Sequence, residues 1–269
     1  MKFIFAILSC FVAAIAVAQK DSAFQLMHSR QGDIAQVAMD NLENFYVVSS
    51  TGQIKKFNNK GDSMAVFNGV RNYGKLHTID VTNPLKPLIF YRDFGTIVML
   101  DRLLSQRTSI DLRRYNILQP TAVTLSYDNN IWVFDQFDNK LKKMDESGNI
   151  LLQTTDFRQL FQQTITPHKM INDNGLVYLA DSARGIFVFD NYGAFKKRIE
   201  LKGWRNMDVW NGNVVRLAGD GIVVFNPANF TERTKRFPPS FVPYLNTITS
   251  HNKVITFSGD SLRIYRVAY

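Results

Sequence analysis

NIWVFDQFDNKLKKMDESGNILL, Asn130 to Leu152, decides how this chain folds. An apolar run, Ile131 to Phe134, and a run closed by bulky Leu141 and Met144 around a lysine pair flank a polar break, and Gly148 opens a third. Short β-branched and aromatic runs bounded by turn residues read as strands, and two of them joined by a tight polar turn read as a hairpin.

The same unit recurs along the chain. FYVVSSTGQIKKF (Phe45 to Phe57), LIFYRDFGTIVML (Leu88 to Leu100), VYLADSARGIFVF (Val177 to Phe189), VVRLAGDGIVVF (Val214 to Phe225) and VITFSGDSLRIY (Val254 to Tyr265) complete a set of six with the opening stretch. Their closing residues, Phe57, Leu100, Met144, Phe189, Phe225 and Tyr265, are 43, 44, 45, 36 and 40 positions apart. Such a period is that of four-stranded propeller blades, with each hairpin supplying strands B and C.

An apolar run ahead of each unit supplies an innermost strand A, as in Leu76 to Val81 or Met207 to Trp210, and a run after most units supplies an outer strand D. The sixth copy has no run after it, because Tyr269 ends the sequence. A closed ring would leave that edge bare, so the run Ala23 to His28 is expected to pair beside Arg263 to Val267. The fold class is therefore all-β: a six-bladed β-propeller with the last blade closed by the N-terminal strand. Its blades are expected over 34–67, 76–112, 122–154, 169–201, 207–237 and 245–267, the last completed by 23–28.

Residues 1–18 read as a cleaved signal peptide, with Lys2, an apolar run from Phe3 to Val17 and Ala16-Val17-Ala18 before Gln19. The mature domain, 19–269, then lacks cysteine, since Cys10 stands alone in the sequence. Disulfides, a thiolate nucleophile and a Cys-ligated zinc are excluded. Hydrophobic residues make up 45% of the chain and aromatics 13%, enough for a packed core. The net charge of +9 permits anionic partners, but pairs such as Lys55-Lys56, Lys142-Lys143 and Lys196-Lys197 are expected on solvated strand faces.

Trp132-Val133-Phe134-Asp135 and Tyr178-Leu179-Ala180-Asp181 carry an aromatic-x-x-Asp pattern, with Ser49 and Ser258 in place of the Asp in other copies. In this the chain resembles exported six-bladed propellers of the NHL-repeat kind. The resemblance implies a binding platform, or less commonly a lactonase, and the fold does not choose between them.

No P-loop, HExxH or GxSxG motif occurs, and His28, His77, His168 and His251 lack metal-ligand spacing. The loops into strand A carry Arg71, Tyr73, His168, Trp204, Arg205 and Tyr244, a recognition chemistry of large contact area and directional donors. The same aromatics would equally plug the channel or seal blade contacts. Asp135 and Asp181 are expected to cap backbone amides. Asp156 is expected to cap a short rim helix bearing Phe157, Leu160 and Phe161, and the proline-rich Phe237 to Tyr244 is expected to be extended.

The expected function is an exported, non-enzymatic platform for a protein partner or, second to that, a glycan, in the periplasm, at the outer membrane or outside the cell. No cofactor, no nucleic acid and no transmembrane span in the mature chain are expected. The alternative is a metal-dependent lactonase-type hydrolase in the central channel, for which Asp33, Asn206 and Asn246 are the available oxygen ligands.

Overall fold

The computed structural model describes residues 23–238, 241 and 246–268. In the opening stretch, Ile131–Asp135 and Lys140–Met144 pair antiparallel from Ile131 opposite Met144 to Asp135 opposite Lys140. Asn139 closes the turn with a φ of 56°, a left-handed conformation that asparagine tolerates. Pro120–Leu125 lies inside this hairpin and Ile150–Gln153 outside it.

Five more four-stranded antiparallel sheets repeat this order. The chain is a six-bladed β-propeller. The inner strands of blades one to six are Gln36–Met39, Thr78–Asp80, Pro120–Leu125, Lys169–Asp173, Met207–Trp210 and Asn246–Ser250. The outer strands of blades one to five are Ser63–Asn68, Gln106–Asp111, Ile150–Gln153, Phe195–Ile199 and Thr231–Arg236.

The sixth outer strand is Phe24–Gln31, which pairs with Ser261–Val267 from Phe24 opposite Val267 to Gln31 opposite Ser261. The ring is thus closed by the N-terminal strand, as the bare edge of the last copy demands. Glu43 reinforces the junction from blade one, accepting from Lys253 at 2.8 Å and from Arg266 at 3.2 Å.

Six apolar clusters fill the six blade junctions. Between blades two and three, for example, Phe90, Ile97 and Met99 meet Val123, Ile131 and Val133. Between blades six and one, Ile255, Leu262 and Ile264 meet Val37, Phe45 and Phe57. Each blade is sandwiched between neighbours, so strands such as Leu88–Tyr91, Ile131–Asp135 and Leu176–Asp181 bury both faces and read as near-continuous apolar runs instead of alternating.

The same sandwich corrects one expectation about charge. Lys56, Lys142 and Lys143 are buried rather than solvated. Lys142 pairs with Asp135 and Asp138, each at 2.8 Å, and Lys143 with Asp128 at 2.7 Å. Lys56 donates to the Arg102 carbonyl at 2.9 Å. Lys196, on an outer strand, is exposed as expected.

Asp156 caps the short helix α1 between blades three and four, Phe157–Phe161, by accepting from the Arg158 amide at 2.8 Å. Phe157 is fully buried and lies parallel to Phe189 at 5.1 Å, with Phe134 at 5.6 Å, so the helix is a wedge in the blade junction. Beside blade six, Phe237 stacks on Phe241 at 4.1 Å and both reach Phe24. These two aromatics of the proline-rich segment point into the junction. Residues 239–240 and 242–245, the expected contact Tyr244 among them, lie outside the described residues, as does the expected signal segment 1–18. Among the described residues no helix is long and apolar enough to cross a membrane.

Candidate functional site

Sequential antiparallel order puts the loops into strand A and the B to C turns on one rim, here the upper, and the A to B and C to D turns on the lower. Two buried carboxylates fix the upper loops. Asp135, fully buried, accepts from the amides of Leu118 at 3.3 Å, Gln119 at 2.9 Å and Phe137 at 3.2 Å while paired to Lys142. Asp181 accepts from the amides of Thr166 at 2.8 Å, Ala183 at 2.9 Å and Arg184 at 3.1 Å. Each ties a loop into strand A to the neighbouring hairpin turn, the capping expected of these residues.

The expected contact residues fall in separate places on this rim. Arg71 and Tyr73 sit on a one-turn helix, Val70–Tyr73, in front of blade two. Arg71 is exposed, whereas the Tyr73 hydroxyl accepts from Gln106 at 2.8 Å and its ring meets Tyr91 at 5.2 Å. Tyr91 is buried, and loss of solvent pushes its phenol up to about 12.

His168 stacks on Trp204 at 4.9 Å across the junction of blades four and five. Trp204 is only 6% exposed and packs with Tyr178, Ile186 and Met207, so it seals blades and offers a partner little area. Loss of solvent lowers the His168 pKa, against a raising influence from Asp181. His77, at the corresponding place in blade two, is likewise lowered by burial and then by Arg92. Arg205 is exposed beside a separate cavity with Arg216 and Thr247.

A channel of about 360 Å³ runs between the six inner strands. Asp80 in it is saturated, accepting from the Thr82 amide and hydroxyl at 2.9 and 2.6 Å, the Thr124 hydroxyl at 2.6 Å and the Leu125 amide at 2.8 Å. It rivets blade two to blade three. Asp208 is less served, accepting from the His251 amide at 3.3 Å. Burial raises its pKa, opposed by the charges of Lys169 and His251. The Lys169 ammonium donates to the neighbouring Met207 carbonyl.

The oxygen ligands expected for a channel metal do not gather. Asp33 is committed to the Ser50 amide and hydroxyl at 2.9 and 2.8 Å on the rim of blade one. Asn206 lines the channel, whereas exposed Asn246 meets that residue only in the separate cavity beside Arg205, away from Asp33. Among the described residues no group of three His, Cys, Asp or Glu could hold a metal ion.

The rim also holds residues that sequence reasoning missed. Phe94 is 55% exposed, Leu118 50% and Phe137 63%, all on the upper rim of blades two and three. Their signal was present: Phe94 in Arg92-Asp93-Phe94-Gly95 and Phe137 in Gln136-Phe137-Asp138-Asn139 are large apolar residues inside tight turns, where polar residues are the rule.

Comparison with known proteins places the chain by fold. No family description matches the sequence, and no curated protein does. Among solved structures, virginiamycin B lyase from Staphylococcus aureus aligns with a TM-score of 0.63 at 8% identity, over 91% of this chain and 100% of that one. A Bacteroides fragilis protein described as exported gives 0.59 at 8% identity, over 93% and 97% of the two chains. The extracellular domain of a two-component system from B. thetaiotaomicron gives 0.56 at 12% identity, over 87% of this chain and 33% of that one. At such identities the likeness is one of architecture alone.

Proposed function

We propose that this protein is an exported, non-enzymatic propeller that holds a protein partner of the cell envelope on its upper rim. The observation that supports this reading is the rim itself. Large apolar side chains and arginines stand exposed on the rim, and the loops of Leu118 and Phe137 are pinned to their blade by the buried Asp135 carboxylate. Side chains presented on rigid loops lose little freedom on binding, which is what a recognition surface requires. Arg71 and Arg205 extend the surface around the ring, and a glycan is the second class of ligand such aromatic and cationic groups would suit.

The test is native purification from the envelope, with metal assayed on the same sample. A stoichiometric protein partner that dissociates when Arg71 or Arg205 is changed supports the platform; a protein that elutes alone from every fraction and shows no glycan affinity overturns it.

A lactonase-type hydrolase is the second reading, favoured by the half-buried Asp208 in the channel near Lys169. A divalent ion retained at one equivalent, together with lactone hydrolysis abolished in Asp208→Asn, would promote it over the platform.

A further inference from the structure

The exposed apolar residues of blades two and three form one connected crescent. A Cβ added at Gly74, where φ is +73°, would stand 2.7 Å from the Phe94 ring, so glycine lets Phe94 lie against the turn that follows Arg71 and Tyr73. The next residue back, Asp93, gives its carbonyl to the Arg113 guanidinium at 3.0 Å. A Cβ added at Gly95 would meet Pro120 at 3.9 Å, which sets the Phe94 turn beside the loop of Leu118. The Leu118 and Phe137 amides share the Asp135 carboxylate, and the Asp138 carbonyl accepts from Arg158 of α1, where Leu160 is 45% exposed.

Unpaired charge on this crescent is mainly positive: exposed Arg113 joins Arg71 and Arg92 against exposed Asp93, while Asp111 and Asp138 are paired to Arg114 and Lys142. Arg71 and Arg92 are exposed and form no ion pair among the described residues. The lower rim is mixed: Asp101, Asp145 and Asp190 occupy its turns, each accepting from backbone amides at 2.8 to 2.9 Å, beside exposed Lys60 and Arg102.

We infer that the crescent of Phe94, Leu118, Phe137 and Leu160, with Arg71 and Arg92 beside it, binds a polypeptide segment in which acidic and apolar side chains alternate. This rests on the platform reading and names the partner's chemistry. Arginines rather than lysines favour carboxylates, whose geometry their planar forks match in pairs. Apolar residues running on from them over separate loops form a discontinuous line of anchors, which suits an extended chain laid along it.

The probe is a short fluorescein-labelled synthetic peptide alternating Glu or Asp with Leu or Phe. Its partners are a copy with lysines for the acids, a copy with serines for the apolar residues, and phosphatidylglycerol vesicles. The expected result is binding of the first peptide only, weakened about tenfold or more in the doubly substituted Phe94→Ala, Phe137→Ala protein and in Arg92→Glu.

Phe230→Ala, on the lower rim where that ring is 80% exposed, should leave affinity unchanged. Circular dichroism and Tm confirm that the variants fold. Equal binding of the lysine peptide, binding unmoved by the crescent variants, capture of vesicles without the peptide, or no peptide binding each overturns the inference. A natural envelope partner held equally by wild type and crescent variants would sink the crescent and leave the platform standing.

Discussion

Phe24 lies opposite Val267, joining the first described strand to the last and closing the ring through backbone pairs at the two ends of the chain. Phe24 is 8% exposed and sits among Ile222, Phe241, Val254 and Tyr265, so the strand also fills the junction of blades five and six. Phe24→Ala should cost about 3–5 kcal/mol in unfolding free energy, read from denaturant midpoints. Deleting residues 23–31 should expose the edge of Ser261–Val267 and produce aggregates in light scattering. A soluble monomer of unchanged midpoint would show that the ring does not depend on this closure.

Asp135 serves three amides and one ammonium from a fully buried position. Asp135→Ala leaves Lys142 paired to Asp138 alone and strips three amides of their acceptor, so a loss of about 3–5 kcal/mol is expected. Hydrogen exchange should quicken at Leu118, Gln119 and Phe137 in any variant of this residue that remains folded. Unchanged exchange there would separate the carboxylate from the loops.

Trp204 and Arg205 are neighbours in sequence with opposite fates. Burial of the indole predicts that Trp204→Ala loses about 3–5 kcal/mol, while exposed Arg205→Ala stays within about 0.5 kcal/mol of wild type. Thermal unfolding of the pair decides it: a Trp204 variant as stable as wild type would return that residue to the contact surface.

Asp208 makes a pH prediction of definite sign. Its folded pKa is raised by burial, so the folded state binds the proton more readily than the unfolded chain does. The resulting stability is complete below the unfolded value, about 3.9, and is lost as pH climbs through the raised folded value. Asp208→Asn should therefore gain Tm at neutral pH, and the gain should vanish toward acid. Lys169 and His251 face the carboxylate and oppose the shift, so a variant destabilised at neutral pH would mean that their attraction outweighs desolvation.

Sequence by itself determined the architecture of this protein. Apolar hairpins recurring six times at the period of a blade bury both faces by stacking in a ring, and a last copy lacking its outer strand calls for the spare N-terminal run. The capping of Asp135 and Asp181 was legible too, because a carboxylate at a strand end next to a turn has local amides to serve. Tertiary structure alone decided which rim residues face outward. Trp204 and Phe157 look like exposed loop aromatics in the sequence, yet neighbouring blades cover them; Leu118 carries no turn signal, yet it stands exposed on the rim. Exposure depends on which blade stands alongside, a relation between residues far apart in the chain that no local pattern records.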